Sequence, residues 1–124
     1  MPQEQMEFNI LFRKPIYPLI VISKDWLMAA FNIKELAICC ISARPQKKGG
    51  VVKSIDSTGE EFWYSPENYA IAPGFAFKRW TKKQIIDLYN NSGSVSEDTK
   101  YSAKSISNKR LTRIISDICD LLKS

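Results

Sequence analysis

Between Val51 and Asn90 the chain reads VVKSIDSTGEEFWYSPENYAIAPGFAFKRWTKKQIIDLYN, and this stretch restricts the possible folds more than any other. Val52, Ser54, Phe62 and Tyr64 alternate on either side of Asp56-Ser57-Thr58-Gly59. That is the pattern of two antiparallel strands joined by a type I turn, with Gly59 in the left-handed position the turn needs. On this register Ile55 faces Glu61, Lys53 faces Trp63 and Val52 faces Tyr64, so Val52, Phe62 and Tyr64 share the core face and Trp63 lies on the opposite one. A third strand-like run, Gly74 to Trp80, feeds a helix. Thr81 with Gln84 three residues on forms a capping box, and Trp80 with Ile85 fits a hydrophobic staple. Ile85, Ile86, Leu88 and Tyr89 make that helix's apolar stripe. Asn90-Asn91-Ser92-Gly93 supplies its stop, with residues that accept a left-handed C-terminal position.

Upstream, Glu7 to Arg13 alternates as a half-buried strand, with Phe8, Ile10 and Phe12 on one face. Pro15 and Pro18 interrupt pairing, and Leu19 to Ser23 resumes it as a short apolar strand. Asp25 to Leu36 has a mostly helical spacing, although Phe31-Asn32-Ile33 also suits a turn, and Ala37 to Ala43 reads as a buried strand β-branched at Ile38 and Ile41. Downstream, Ser94 to Lys104 is polar and small, so residues 92–104 read as a connector. Residues 105–123 then form an amphipathic C-terminal helix with Ser107 as N-cap and Leu111, Ile114, Ile115, Ile118 and Leu122 as its stripe. The expected architecture is α+β, a mostly antiparallel twisted sheet of about five strands with helices on one face, in a single domain spanning 1–124.

Several chemistries are excluded by residue type. The chain contains no histidine, which removes Cys-His and Ser-His-Asp catalysis and the commonest zinc sites. Acid-base work would fall to Asp56, Glu60, Glu61, Glu67 or Lys53, none of which sits in a catalytic motif, so we expect no enzyme, no metal and no cofactor. The three cysteines are an odd number, and Cys39 and Cys40 are adjacent, so free core thiols in a reducing compartment are expected. The longest apolar runs, Pro15 to Ile22 and Leu36 to Ile41, fall short of the roughly 20 residues of a membrane span. Met1-Pro2-Gln3-Glu4-Gln5 is polar where a secretory signal would be basic and then apolar, so a cytoplasmic protein without membrane contact is expected.

What remains is surface chemistry. The chain carries 18 lysines and arginines against 13 aspartates and glutamates, a net charge of +5. Lys47 and Lys48 sit in a basic Gly-Gly loop, while Lys109, Arg110 and Arg113 crowd the start of the last helix, where they oppose its dipole unless Arg113 pairs with Asp117. Trp63 on the outer face, with Lys53 beside it and Lys78 from the next run, is a candidate anchor for a partner. These eight residues are the candidate partner-binding set. Nucleic acid is one possible partner: a helix-turn-helix can be drawn with Gln84 to Asn90 as first helix and Ser96-Glu97-Asp98-Thr99 opening the second. It has one residue too many before Ser96 and is acidic where the helix would meet phosphate.

In its single-domain size, its strands followed by helices and its lack of a catalytic constellation, the chain resembles the small immunity proteins that neutralise bacterial contact-dependent toxins. The resemblance implies a stoichiometric protein partner, a cognate toxin whose surface is blocked. Because this chain is basic, that partner is expected to present an acidic surface.

Overall fold

The computed structural model describes residues 8–24, 26–43, 50–74, 79–92 and 109–123. In chain order they form β1 (Asn9–Ile10), β2 (Leu19–Ser23), β3 (Trp26–Ala30), α1 (Ile33–Ser42), β4 (Val52–Ile55), β5 (Glu61–Ser65), β6 (Ala70–Pro73), α2 (Lys82–Asn90) and α3 (Leu111–Lys123). The α+β class, the mostly antiparallel sheet and the C-terminal helix are as expected. Among the described residues the sheet has six strands in the order β1-β6-β5-β4-β2-β3, in which β1 and β6 pair parallel and the other pairs are antiparallel.

The hairpin has the expected register, Val52 opposite Tyr64, Lys53 opposite Trp63 and Ile55 opposite Glu61. Its turn closes with the Gly59 N–H on the Asp56 carbonyl at 2.9 Å, and Gly59 has φ +87°. A side chain is barred there twice over. An added Cβ would sit 2.6 Å from a Leu111 methyl and 3.1 Å from the Trp80 carbonyl, and the positive φ already favours glycine. The turn therefore serves as a seat for the starts of α2 and α3.

Two expectations are overturned between residues 25 and 43. Trp26–Ala30 is not helical but pairs antiparallel with β2, Ser23 opposite Trp26 through Leu19 opposite Ala30. Ala37 to Ala43 is not a strand: Ala37 to Ser42 make up the larger part of α1, and Ala43 is its C-cap. Its buried Leu36, Ala37 and Cys40 keep helical spacing, while the β-branched Ile38 and Ile41 that suggested a strand point to solvent. Asn32 is its N-cap, its side chain accepting the Glu35 N–H at 2.9 Å.

This helix also corrects the expectation of helices on one face. Residues of β2 alternate between two cores. Leu19 and Val21 join Leu36 and Cys40 of α1 with Val52, Phe62, Tyr64 and Ile71. Ile20 and Ile22 join Ile55, the α2 residues Ile85, Ile86 and Tyr89, and the α3 residues Ile114, Ile115 and Ile118. A strand buried on both faces has no polar side to show, so β2 reads as an unbroken apolar run.

Other boundaries shift. The N-terminal strand is only Asn9–Ile10; Phe12 leaves the expected alternation altogether. The third strand is Ala70–Pro73, while the run from Gly74 to Trp80 lies mainly outside the described residues, with Arg79 bridging to Glu60. The capping box at Thr81 and Gln84 is present as expected. The C-cap Asn91 is right-handed, with φ −94° and ψ 0°; Gly93, the glycine of the expected stop, lies outside the described residues. The last helix begins at Leu111; Ser107 and the connector from Ser94 to Lys104 lie outside the described residues.

Strand β3 is a sheet edge, and edges expose backbone groups that invite pairing. Here α1 and α3 close over one end of it. Glu35 accepts the Phe31 N–H at 2.8 Å, the Cys39 thiol approaches the Ala29 carbonyl at 3.7 Å, and Lys123 reaches across to Glu35 at 2.6 Å.

Candidate functional site

Just past β1 the chain makes a turn whose central side chain does not pack against the protein. The Leu11 N–H continues the β6 pairing onto the Ile71 carbonyl at 2.9 Å, and the Arg13 N–H then folds back to the Leu11 carbonyl at 2.8 Å. Between them Phe12 is held at φ +68°. For a bulky side chain this left-handed backbone costs about 1–3 kcal/mol and survives only where surroundings impose it. Phe12 is nevertheless 91% exposed, and Leu11 and Ile16 beside it are exposed as well.

The surroundings that impose the turn can be named. On the far side of the loop the Ile16 N–H donates to the Asp56 carboxylate at 3.1 Å, and the Ser57 N–H donates to the Ile16 carbonyl at 3.0 Å. Arg13 pairs with Glu60, and Pro15 is buried. Asp56 is only 2% exposed. Its other oxygen accepts the Thr58 N–H at 2.9 Å, the Thr58 hydroxyl at 2.6 Å and the Glu60 N–H at 3.1 Å. One buried carboxylate thus shapes the hairpin turn and ties the loop to it, its charge met by several donors. The outcome is a surface loop, Leu11 to Ile16, fixed at both ends, with three apolar side chains outward and the cations Arg13 and Lys14 among them.

A second exposed apolar feature follows the β3 edge, a groove of about 310 Å³ between α1 and α3. Trp26 and Ile38 stand exposed on it, and the Glu35–Lys123 pair lies at its side. Hydrogen bonding from Lys123 and from the Phe31 N–H holds the Glu35 carboxyl below its ordinary 4.5.

The sequence-derived candidates do not converge on either feature. Trp63 lies on the sheet face opposite Phe62 and Tyr64, as expected, half-buried. Its indole N–H donates to Glu61, and its ring fills the space a Cβ on Gly74 would take, 2.8 Å away. Glu61 also accepts the Trp80 indole N–H at 3.1 Å, so one carboxylate fixes two indoles. Lys53 is exposed beside Trp63. Lys109 and Arg113 both turn to Asp117, at 2.9 and 3.1 Å, while Arg110 is exposed and its carbonyl accepts the Arg113 and Ile114 N–H groups that open α3. Lys47, Lys48 and Lys78 lie outside the described residues, as does the second helix of the drawn helix-turn-helix.

The described cysteines are free thiols. Burial pushes Cys40 and Cys119 up to about 12 and raises Cys39 as well, the opposite of what a nucleophilic thiolate needs. Among the described residues no group of three histidine, cysteine or carboxylate side chains could hold a metal ion, and no helix is long and apolar enough to cross a membrane.

Comparison with protein-family models, with curated proteins and with solved structures found no match to this chain. The loop at Phe12 was missed because Phe8, Ile10 and Phe12 alternate as a strand should. The available signal was Arg13-Lys14-Pro15, which ends pairing immediately after Phe12.

Proposed function

We propose that this chain is a protein-binding module acting by stoichiometric contact, in the manner of the small immunity proteins that neutralise toxins, and that it works in the cytoplasm without catalysing a reaction. One observation carries the reading. Among the described residues, large apolar side chains stand outside on fixed backbone, while the carboxylates of Glu35, Asp56, Glu61 and Asp117 are turned to structural partners within the chain. Leu11, Phe12, Ile16, Trp26 and Ile38 are exposed, whereas Asp56 shapes a turn, Glu61 holds two indoles, Glu35 closes an edge and Asp117 takes two cations. Exposed apolar groups on fixed backbone mark contact surfaces. Free thiols with raised values also suit a reducing compartment.

The test is affinity purification of the full chain from the cell that expresses it, with bound protein and nucleic acid both quantified. One protein at a fixed stoichiometry, retained as salt rises, supports the reading. Nucleic acid as the bound species, lost steeply as salt rises, would replace it with a nucleic-acid-binding function.

A further inference from the structure

We propose that the Leu11–Ile16 loop is the element this protein inserts into its partner, seating Phe12 in an apolar pocket whose rim carries carboxylates. The inference rests on the protein-binding reading and adds to it the residues of contact and the chemistry of the partner.

Three independent features lead there. The first is strain without internal return. Phe12 occupies φ +68° yet is 91% exposed, so its ring contributes almost nothing to this fold, and glycine would adopt the same backbone more cheaply. Strained backbone retained where the fold gains nothing from the side chain is a mark of a functional position.

The second feature is preorganisation. Leu11 is tied to Ile71, Arg13 to Leu11 and to Glu60, Ile16 to Asp56, and Ser57 to Ile16. The loop's conformation is set before any partner arrives, which removes most of the ordering cost of binding.

Chemistry is the third. An aromatic ring at the tip, Leu11 and Ile16 at its flanks, and Arg13 and Lys14 exposed alongside combine an apolar tip with a positive rim, aromatic residues and arginine being enriched at interfaces. Arg13 already leans on Glu60, so Lys14 carries the charge offered outward. The complement is a pocket lined by apolar side chains and edged by aspartate or glutamate, in keeping with the net charge of +5. An anionic lipid surface also attracts apolar groups beside cations. Three side chains on a rigid turn, however, offer far less apolar area than the continuous face with which interfacial helices bind lipid, and the protein pocket is the better fit.

The experiment places the photo-crosslinker p-benzoylphenylalanine at position 12, and separately at position 26, in the full chain expressed in its own cell. Affinity of the recovered complex is then measured for Phe12→Gly and Lys14→Glu, and binding of the wild type to vesicles with about one-third phosphatidylserine is measured alongside. Phe12→Gly keeps the backbone at that position unstrained, so unfolding does not confound it. The expected result is a crosslink from position 12 that maps beside acidic residues of a single protein, with the complex weakened at least about thirtyfold by Phe12→Gly and also weakened by Lys14→Glu. A crosslink from position 26 alone leaves the protein-binding reading standing and overturns the inserted loop. Crosslinks from neither position overturn both. Vesicle binding that Phe12→Gly abolishes replaces the protein pocket with a lipid surface.

Discussion

At the scale of single residues, two side chains define the molecule's surface character, Asp56 by being buried and Phe12 by not being so. The Asp56 carboxylate accepts from Ile16, Thr58 and Glu60 and so ties down the far end of the loop in which Phe12 holds φ +68°. The sign of one substitution follows. Phe12→Gly removes an exposed ring from a backbone angle that glycine tolerates, so denaturant unfolding should show a gain of about 1 kcal/mol, reduced by the extra entropy of glycine in the unfolded chain. A loss of more than about 1 kcal/mol would show that the ring packs against the protein. The thiols give a second residue-scale expectation, with its own sign. Cys40 and Cys119 sit at about 12 in the folded chain against an ordinary 9.0. Above pH 9 the unfolded thiols ionise first, so stability holds below pH 9 and falls as pH rises toward 12, by about 1.4 kcal/mol per pH unit for each thiol. Cys40→Ala should make that decline shallower by one thiol's share; an unchanged slope would mean Cys40 is accessible to solvent.

At the scale of elements, what the sequence discloses depends on whether the signal is local. The β4–β5 register and the start of α2 are set by neighbours: the Asp56 to Gly59 turn fixes one, and Thr81 with Gln84 fixes the other. Both could be read directly. The region from Trp26 to Ala43 was misread because its periodicity is ambiguous. Trp26–Ala30 lies at an edge with neighbours on both faces, and α1 displays Ile38 and Ile41 outward, so burial does not separate apolar from polar positions there. The N-cap signal of Asn32 with Glu35 was present three residues apart, and it marks the true start of α1. The Phe12 loop was not legible, because its backbone is imposed by Asp56, Glu60 and Ile71, all distant in sequence. For α2, Thr81→Ala removes the acceptor of the Gln84 N–H at 3.2 Å and should cost 0.5–2 kcal/mol, about 1 in the middle of that range, measured by denaturant unfolding. No change would mean that the helix's first turn is satisfied by other groups.

At the scale of the whole molecule, the six-stranded sheet with helices on both faces is a support whose surfaces differ in kind. One edge is covered at one end by α1 and α3 with the Glu35–Lys123 pair, and near the other edge the chain displays Phe12 on a fixed turn. A contact module needs such a division, since its frame must resist pairing with other chains while one region stays open to a chosen partner. The central claim is that this region is built in advance, and native-state amide hydrogen exchange of the free protein tests it most directly. If the loop is clamped, the amides of Leu11, Ile16 and Ser57, bonded to Ile71, Asp56 and Ile16, should exchange slowly, within about a factor of ten of the β2 amides, because they open only with the sheet that holds them. Exchange of these three amides at the rate of an unstructured chain would contradict the account.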